Sequence, residues 1–212
     1  MDAPASTAVS AASPGAPTPR TLARLTLIIG GARSGKSAHA ERLVQASVAG
    51  NAIRPLYLAT ARAEDAEMEE RIRRHKERRG GRWETCEEPL EIAAALEQHA
   101  RPDRPILLDC LTLWLGNLLG AGRDIAAEKA RLLTALEGLA GPVVLVANEV
   151  GLGIVPDNAL ARRFRDAAGV LNQAVAAVAP RVILMAAGLP LAMKDAAPDD
   201  PMTDDPINGG KP

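Results

Sequence analysis

Residues Leu25 to Ser37 read Leu-Thr-Leu-Ile-Ile-Gly-Gly-Ala-Arg-Ser-Gly-Lys-Ser, and no other stretch limits the possible folds as much. Leu25 to Ile29 is an apolar run that reads as a buried strand, and a helix-forming run follows from Ala38. Between them, Gly30, Gly35, Lys36 and Ser37 fit the phosphate-loop spacing of Gly, four residues, Gly-Lys-Ser/Thr. Each residue type has a chemical reason to be there. The glycines allow a tight turn that brings backbone N–H groups close to phosphate oxygens. The helix that follows adds its free N–H groups and the positive end of its dipole. Lys36 supplies a point charge for the outer phosphates, and the Ser37 hydroxyl suits Mg²⁺. A Gly-rich turn that meets the pattern by chance would not be expected to have a strand before it and a helix after it. The stretch therefore implies a nucleoside triphosphate ligand.

The rest of the chain alternates in the same way. Leu56 to Ala59 reads as the second strand, with Thr60, Ala61 and Arg62 just past its end. Trp83 to Cys86 reads as a short strand, and Leu90 to Ala100 as a helix with Pro89 at its first position. Ile106 to Leu108 reads as a strand ending at Asp109, Ala126 to Leu139 as a helix, and Val143 to Ala147 as a central strand. Asp157 or Asn158 can cap a long helix to about Val178, Val182 to Met185 reads as a further strand, and Gly188-Leu189-Pro190 with a short apolar end closes the fold. This alternation predicts an α/β fold of the phosphate-loop NTPase type, a mostly parallel sheet with helices on both faces.

At 212 residues the chain suits one catalytic domain, expected over residues 23–194. Residues 1–22, dominated by Ala, Pro, Ser and Thr, and residues 195–212, rich in Pro and Asp, read as disordered tails. Arg20 and Arg24 in an acid-poor segment leave a transit peptide as the alternative for the first tail. Aromatic residues are only 2% of the chain, so Leu, Val, Ile and Ala must fill the core. A net charge of −1 argues against a nucleic-acid partner. No apolar run reaches the length of a membrane span. Cys86 and Cys110 lack metal-type spacing and fit a reducing cytoplasm.

Two places carry further chemistry, each with a plainer reading beside it. From Glu64 to Arg79 the acids come first and the bases last, an order that complements a helix dipole. His75 shares a face there with Met68 and Ile72, so it either faces a site or is incidental on a salt-bridged, solvated helix; periodicity alone favours the second. Asp109 ends an apolar strand, which suits a carboxylate that holds Mg²⁺ directly or through water. It would equally suit a cap on the helix expected from Leu111 to Leu119. Asn148 to Gly151 reads as a substrate loop or a plain connection, and Glu149 is a candidate kinase base by its strand-end position alone. Arg162, Arg163, Arg165 and Asp166 read as solvated charge.

Taken together, the motifs resemble the bifunctional adenosylcobinamide kinase/adenosylcobinamide-phosphate guanylyltransferase family of cobalamin biosynthesis. The matching runs are Gly-Gly-Ala-Arg-Ser-Gly-Lys-Ser at 30–37, Tyr-Leu-Ala-Thr at 57–60, Arg-Ile-Arg-Arg-His-Lys at 71–76 and Trp83-Glu84-Thr85. Leu107 to Cys110, Val146 to Gly151, Gly153 to Pro156, Arg162, Phe164 to Asp166, Gly169 and Asn172-Gln173 match as well, so the resemblance spans Leu25 to Lys194. It implies that His75 attacks the α-phosphate of GTP and carries GMP to adenosylcobinamide phosphate. The same protein would phosphorylate adenosylcobinamide with ATP or GTP and Mg²⁺. It also implies nucleotide contacts from Gly30, Gly31, Ala32, Arg33, Ser34, Gly35, Lys36, Ser37, Thr60, Ala61, Arg62, Lys76, Glu77, Arg78, Arg79, Glu87 and Asp109, with Ser37 and Asp109 toward the metal. A homotrimer is implied in the same way. The family often has Glu where this chain has Asp109, and some members have a second histidine where it has Arg74. His39 and His99 fall in ordinary helices and read as structural or exposed. Three readings compete with this one. Another small-molecule kinase would give His75 no role. A nucleotide switch would hydrolyse slowly and turn over no corrinoid. A non-catalytic binding module would leave Asp109 and His75 without purpose.

Overall fold

The computed structural model describes residues 21–62, 70, 73, 76–77 and 79–195. The strands are β1 (Leu25–Gly30), β2 (Leu56–Ala59), β3 (Glu84–Glu87), β4 (Ile106–Asp109), β5 (Val143–Asn148), β6 (Arg181–Ala186) and β7 (Leu189–Asp195). They form one seven-stranded sheet in the order β3-β2-β4-β5-β1-β6-β7. Every pair is parallel except β6 with β7. The helices are α1 (Lys36–Ser47), α2 (Ile92–His99), α3 (Leu111–Gly120), α4 (Ile125–Glu137) and α5 (Ala159–Val178).

Strand side chains alternate across the sheet, and this divides the core in two. Leu25, Leu27, Leu56, Leu58, Ile106, Leu108, Val143 and Leu145 pack on one face with Ile92, Leu115, Leu136 and Val175, which come from α2, α3, α4 and α5. Ile28, Tyr57, Leu107, Val144, Val146 and Ile183 pack on the other with Ala40, Leu43 and Val44 of α1 and with Trp83. Helices therefore cover both faces of a mostly parallel sheet, as the alternation predicts.

The differences from expectation lie at element ends. Helix α2 begins at Ile92, because the Glu88 carboxylate accepts from the N–H groups of Leu90 and Glu91 (2.8 and 2.9 Å) and holds Pro89 outside the helix. Helix α4 ends at Glu137, with Gly138 as the residue after it, short of Gly141-Pro142. Asn158, not Asp157, caps α5, its side chain accepting from Ala161 N–H at 2.7 Å. The expected short apolar end is a full strand, β7, reached by a two-residue turn in which Ala187 (φ 51°) and Gly188 (φ 83°) both take left-handed backbone. That turn twists as the flanking strands do, and Pro190 is tolerated because β7 is an edge. The described fold extends slightly past residues 23–194: Leu22 packs against the second core and Asp195 ends β7. The segment expected as a helix from Glu64 lies mostly outside the described residues; Glu70, Arg73, Lys76, Glu77 and Arg79 within it are helical. Among the described residues, no helix is long and apolar enough to cross a membrane.

His39, on α1, is structural, as expected. It is 2% exposed, and its Nε2 has no hydrogen-bond partner. Burial, with the charges of Arg42 and Arg181, lowers its pKa from 6.5 to about 4. The folded state thus resists a proton that the unfolded chain accepts, so this contribution to stability is full above pH 6.5 and lost as pH falls toward 4. A shift of this size corresponds to about 3 kcal/mol. His39→Gln is expected to flatten the pH dependence of stability by roughly that amount, read from urea melts at pH 7 and pH 4.5. An unchanged slope would contradict the assignment.

Candidate nucleotide site

Because the sheet is parallel through β1 to β6, the ends of β1, β2, β4 and β5 all open onto one edge, where α/β sheets bind ligands. Cavities of about 450 and 340 Å³ lie at the opposite edge. They are lined by residues such as Leu22, Pro105 and Pro142 in one case and Arg54 and Pro55 in the other, and contain no candidate site residue.

The phosphate loop is built by close approach. Gly30 lies against β6, where a Cβ would stand 2.3 Å from the Met185 carbonyl oxygen, so no larger residue fits. Gly35 takes φ 94° and precedes α1 without any side-chain cap, which leaves the first N–H groups of that helix available to an anion. The loop is tied on both sides: Gly188 N–H donates to Ser34 O (3.1 Å) and Glu149 N–H to Gly30 O (2.9 Å). Lys36 is 7% exposed and folds across the loop, its Nζ donating to Gly31 O at 2.6 Å. Gly31, Ala32 and Arg33 are exposed, with Arg33 in left-handed backbone (φ 56°).

Asp109 meets this loop although β5 lies between β4 and β1 in the sheet. The Ser37 hydroxyl donates to Asp109 Oδ1 at 3.4 Å, and the Tyr57 hydroxyl donates to Oδ2 at 2.6 Å. The capping role for Asp109 is not seen: Cys110 is the residue before α3, and no side chain caps that helix. Among the described residues no group of three or more His, Cys, Asp or Glu could hold a metal. One carboxylate beside one hydroxyl is instead the sparse, hard oxygen set that fits Mg²⁺, which takes its remaining ligands from phosphates and water.

Other expected contacts stand elsewhere. Thr60 is fully buried, and its hydroxyl exchanges hydrogen bonds with the Cys110 backbone, donating to O (2.9 Å) and accepting from N–H (2.8 Å). It fixes the ends of β2 and β4 to one another. Ala61 is half-buried and Arg62 exposed. Lys76 pairs with Glu87 at the end of β3, and Glu77 pairs with Arg73. Since β2, β4 and β5 separate β3 from β1, that pair is about 20 Å along the sheet from the phosphate-loop strand. Arg79 is buried, its guanidinium 3.5 Å from the centroid of the Tyr57 ring. His75 and Arg78 lie outside the described residues.

Sequence reasoning passed over several residues that shape this edge. Asn117 Nδ2 donates to Thr60 O (2.8 Å) and Pro89 O (3.0 Å), joining β2 to the entry of α2. Thr112 accepts from Asn148 N–H (2.7 Å), and Asn172 donates to Asn148 O (3.2 Å), so α3 and α5 together hold the end of β5. The next residue, Glu149, accepts from Gly151 N–H at 2.6 Å. Tyr57 is the largest omission. Its signal was a phenol in a buried strand, which needs a partner for its hydroxyl. Burial, then the Asp109 charge and the hydrogen bond to it, push its pKa far up and keep the hydroxyl a donor. Arg162, expected as solvated charge, donates to Pro156 O and Asp157 O (2.9 and 2.7 Å) and closes the loop before α5.

Fold and site together define an α/β phosphate-loop protein with a buried lysine and a serine paired with a carboxylate. A family model described as cobinamide kinase / cobinamide phosphate guanyltransferase matches residues 26–193, and the chain belongs to that family. It is similar to the bifunctional adenosylcobalamin biosynthesis protein CobP of Pseudomonas aeruginosa, 49% identical over 170 residues, or 79% of this chain and 96% of that protein. The bifunctional adenosylcobalamin biosynthesis proteins CobU of Salmonella typhimurium and Escherichia coli are 41% and 39% identical over 185 residues, each covering 80% of this chain and 99% of theirs. Among solved structures, the flagellar accessory protein FlaH of Methanocaldococcus jannaschii aligns with a TM-score of 0.46 and 12% identity, over 82% of this chain and 79% of that one.

Proposed function

We propose that this chain catalyses two successive steps of cobalamin biosynthesis. It phosphorylates adenosylcobinamide with ATP or GTP, and then transfers GMP from GTP to the resulting phosphate. The observation that carries this reading is the Ser37–Asp109 pair beside the buried Lys36, in a chain of this family.

In the kinase step a corrinoid side-chain hydroxyl attacks the γ-phosphorus, its proton passes to a base, and the nucleoside diphosphate leaves. Glu149 is the candidate base, since its backbone is tied to Gly30 of the loop. Lys36 and the N–H groups at the start of α1 hold the phosphate oxygens and offset their charge. In the second step the neutral imidazole of His75 attacks the α-phosphorus of GTP. An N–P bond forms, the bond from the α-phosphorus to the bridging oxygen breaks, and pyrophosphate departs. A phosphate oxygen of adenosylcobinamide phosphate then attacks that phosphorus, the N–P bond breaks, and adenosylcobinamide-GDP results. Ser37 and Asp109 would hold Mg²⁺, which when bound neutralises charge on the phosphates.

The remaining assignments are a homotrimer in the cytoplasm. Exposed Leu189, Leu191 and Met193 along the edge strand β7 support self-association, because an apolar edge left open is an association site. The two free thiols, Cys86 and Cys110, support a reducing compartment.

The test is product mass. Protein incubated with adenosylcobinamide, ATP and Mg²⁺ is expected to add one phosphate to the corrinoid, and addition of GTP is expected to convert this to the GDP derivative with release of pyrophosphate. Nucleotide hydrolysis with an unchanged corrinoid mass would overturn the reading.

A further inference from the structure

Tyr57 stands between two clusters of site residues. On one side its hydroxyl donates to Asp109 Oδ2 at 2.6 Å, while Asp109 Oδ1 accepts from the Ser37 hydroxyl. On the other its ring lies under the Arg79 guanidinium, 3.5 Å from centroid to Cζ. Arg79 ends the helical stretch that includes Glu70, Arg73, Lys76 and Glu77. Trp83 meets the ring edge-on, with centroids 5.8 Å apart and planes at 89°. Tyr57, Arg79 and Trp83 are all at most 5% exposed.

These contacts have separable consequences. A carboxylate whose two oxygens are equivalent can rotate about its last bond. A hydrogen bond to one oxygen ends that freedom and aims the other. A phenol is a donor at neutral pH, so the hydroxyl serves as a constant donor to that oxygen. The ring does a different job. A buried guanidinium is costly unless something receives it, and the Nε of Arg79 has no hydrogen-bond partner. An aromatic face attracts a desolvated cation far better than an exposed one. The ring thereby seats the end of the helical stretch against β2.

We propose that Tyr57 is a positioning residue that holds the Asp109 carboxylate and the helical stretch ending at Arg79 in one register. The hydroxyl aims the carboxylate at the metal position, and the ring seats Arg79, four residues after His75 in the sequence, against β2. The inference rests on the assignment of Mg²⁺ to Ser37 and Asp109 and of the nucleophile to His75.

Two variants separate the two jobs. Tyr57→Phe removes the hydroxyl and keeps the ring, whereas Tyr57→Leu removes both. The first readout is GTP affinity by calorimetry with and without Mg²⁺. Tyr57→Phe is expected to keep the Mg²⁺-free affinity and to lose roughly tenfold of the gain that Mg²⁺ confers, the size of one charge-assisted hydrogen bond. The second is the single-turnover rate of covalent labelling from α-labelled GTP, divided by the rate of adenosylcobinamide phosphorylation at saturating Mg²⁺. Tyr57→Phe is expected to keep the wild-type ratio and Tyr57→Leu to lower it roughly tenfold, the scale of a buried cation–π contact. If Tyr57→Leu does not fold, Arg79→Met over the intact ring takes its place, with the same fall expected. Wild-type Mg²⁺ dependence in Tyr57→Phe would overturn the first half. An undiminished ratio in Tyr57→Leu, or in its substitute, would overturn the second. Failure of the underlying assignments looks different: wild type would then take no label at all, or its own GTP affinity would not respond to Mg²⁺.

Discussion

Lys36→Ala is expected to lose both the kinase and the guanylyl-transfer activity, each by at least about 10²-fold, while the protein keeps its fold. Both reactions develop charge on phosphate oxygens, and in the proposed mechanism both draw on the phosphate loop at Gly30 to Ser37. The lysine is 7% exposed, held low against the loop by its bond to Gly31 O. Its charge therefore acts from a partly desolvated place, where it is worth more than the same charge in water. Alanine removes the charge but leaves the backbone turn, which rests on Gly30, Gly35 and the bonds from Glu149 and Gly188. Circular dichroism and melting temperature should therefore stay near wild type while GTP affinity and both rates fall. Arginine is not expected to rescue them, because its wide planar fork cannot fold into the space a compact ammonium occupies. If either activity survived Lys36→Ala at the wild-type rate, that reaction would not use this loop, and the two activities would need separate phosphate sites.

How far the sequence reached depends on the range of the interactions concerned. Strand Leu56–Ala59 lies where its apolar run placed it, and β1, β4, β5 and β6 deviate by a residue or two, because burial on both faces forces uniform apolarity. The turn from Gly30 to Ser37 was legible because its geometry is local: spacing alone places the glycines, the lysine and the hydroxyl at the start of α1. Strand β7 was not legible. Its residues are all exposed, and it exists through pairing with β6, so no burial pattern announces it. Asp109 carried two readings because a carboxylate after a strand can cap a helix or face a ligand. Only the approach of Ser37 from α1 and Tyr57 from β2 separates them. Thr60 shows the same limit. Its place past a strand end gave no sign that the Cys110 backbone uses its hydroxyl in both directions. Side-chain partners from elements 50 or more residues away in sequence are the part that a linear reading does not supply.

The second large effect separates the two chemistries. His75→Ala is expected to abolish guanylyl transfer, to below about 10⁻³ of wild type, and to leave adenosylcobinamide phosphorylation within a few-fold. In the proposed mechanism the nucleophile takes no part in γ-phosphoryl transfer, so the kinase step would need Lys36, Ser37 and Asp109 but not the imidazole. His75 itself lies outside the described residues; its neighbours Lys76 and Arg79 are anchored at Glu87 and Tyr57. The substitution is thus expected to leave the helical stretch seated. The decisive measurement uses GTP labelled at the α-phosphorus in one sample and at the γ-phosphorus in another, with wild type beside His75→Ala. Acid-labile protein-bound label from the α-position alone, absent from the variant, is the expected result, because a phosphoramidate hydrolyses in acid where a phosphate ester persists. Label from the γ-position would mean a phosphorylated intermediate and a different leaving group. Full transfer by His75→Ala would mean direct attack of adenosylcobinamide phosphate on GTP, with inversion at the α-phosphorus in place of the net retention that two displacements give. The stereochemical course with a chiral α-thio GTP therefore checks the same step independently of any variant, and an inverted product would sink the covalent mechanism even if His75→Ala were inactive.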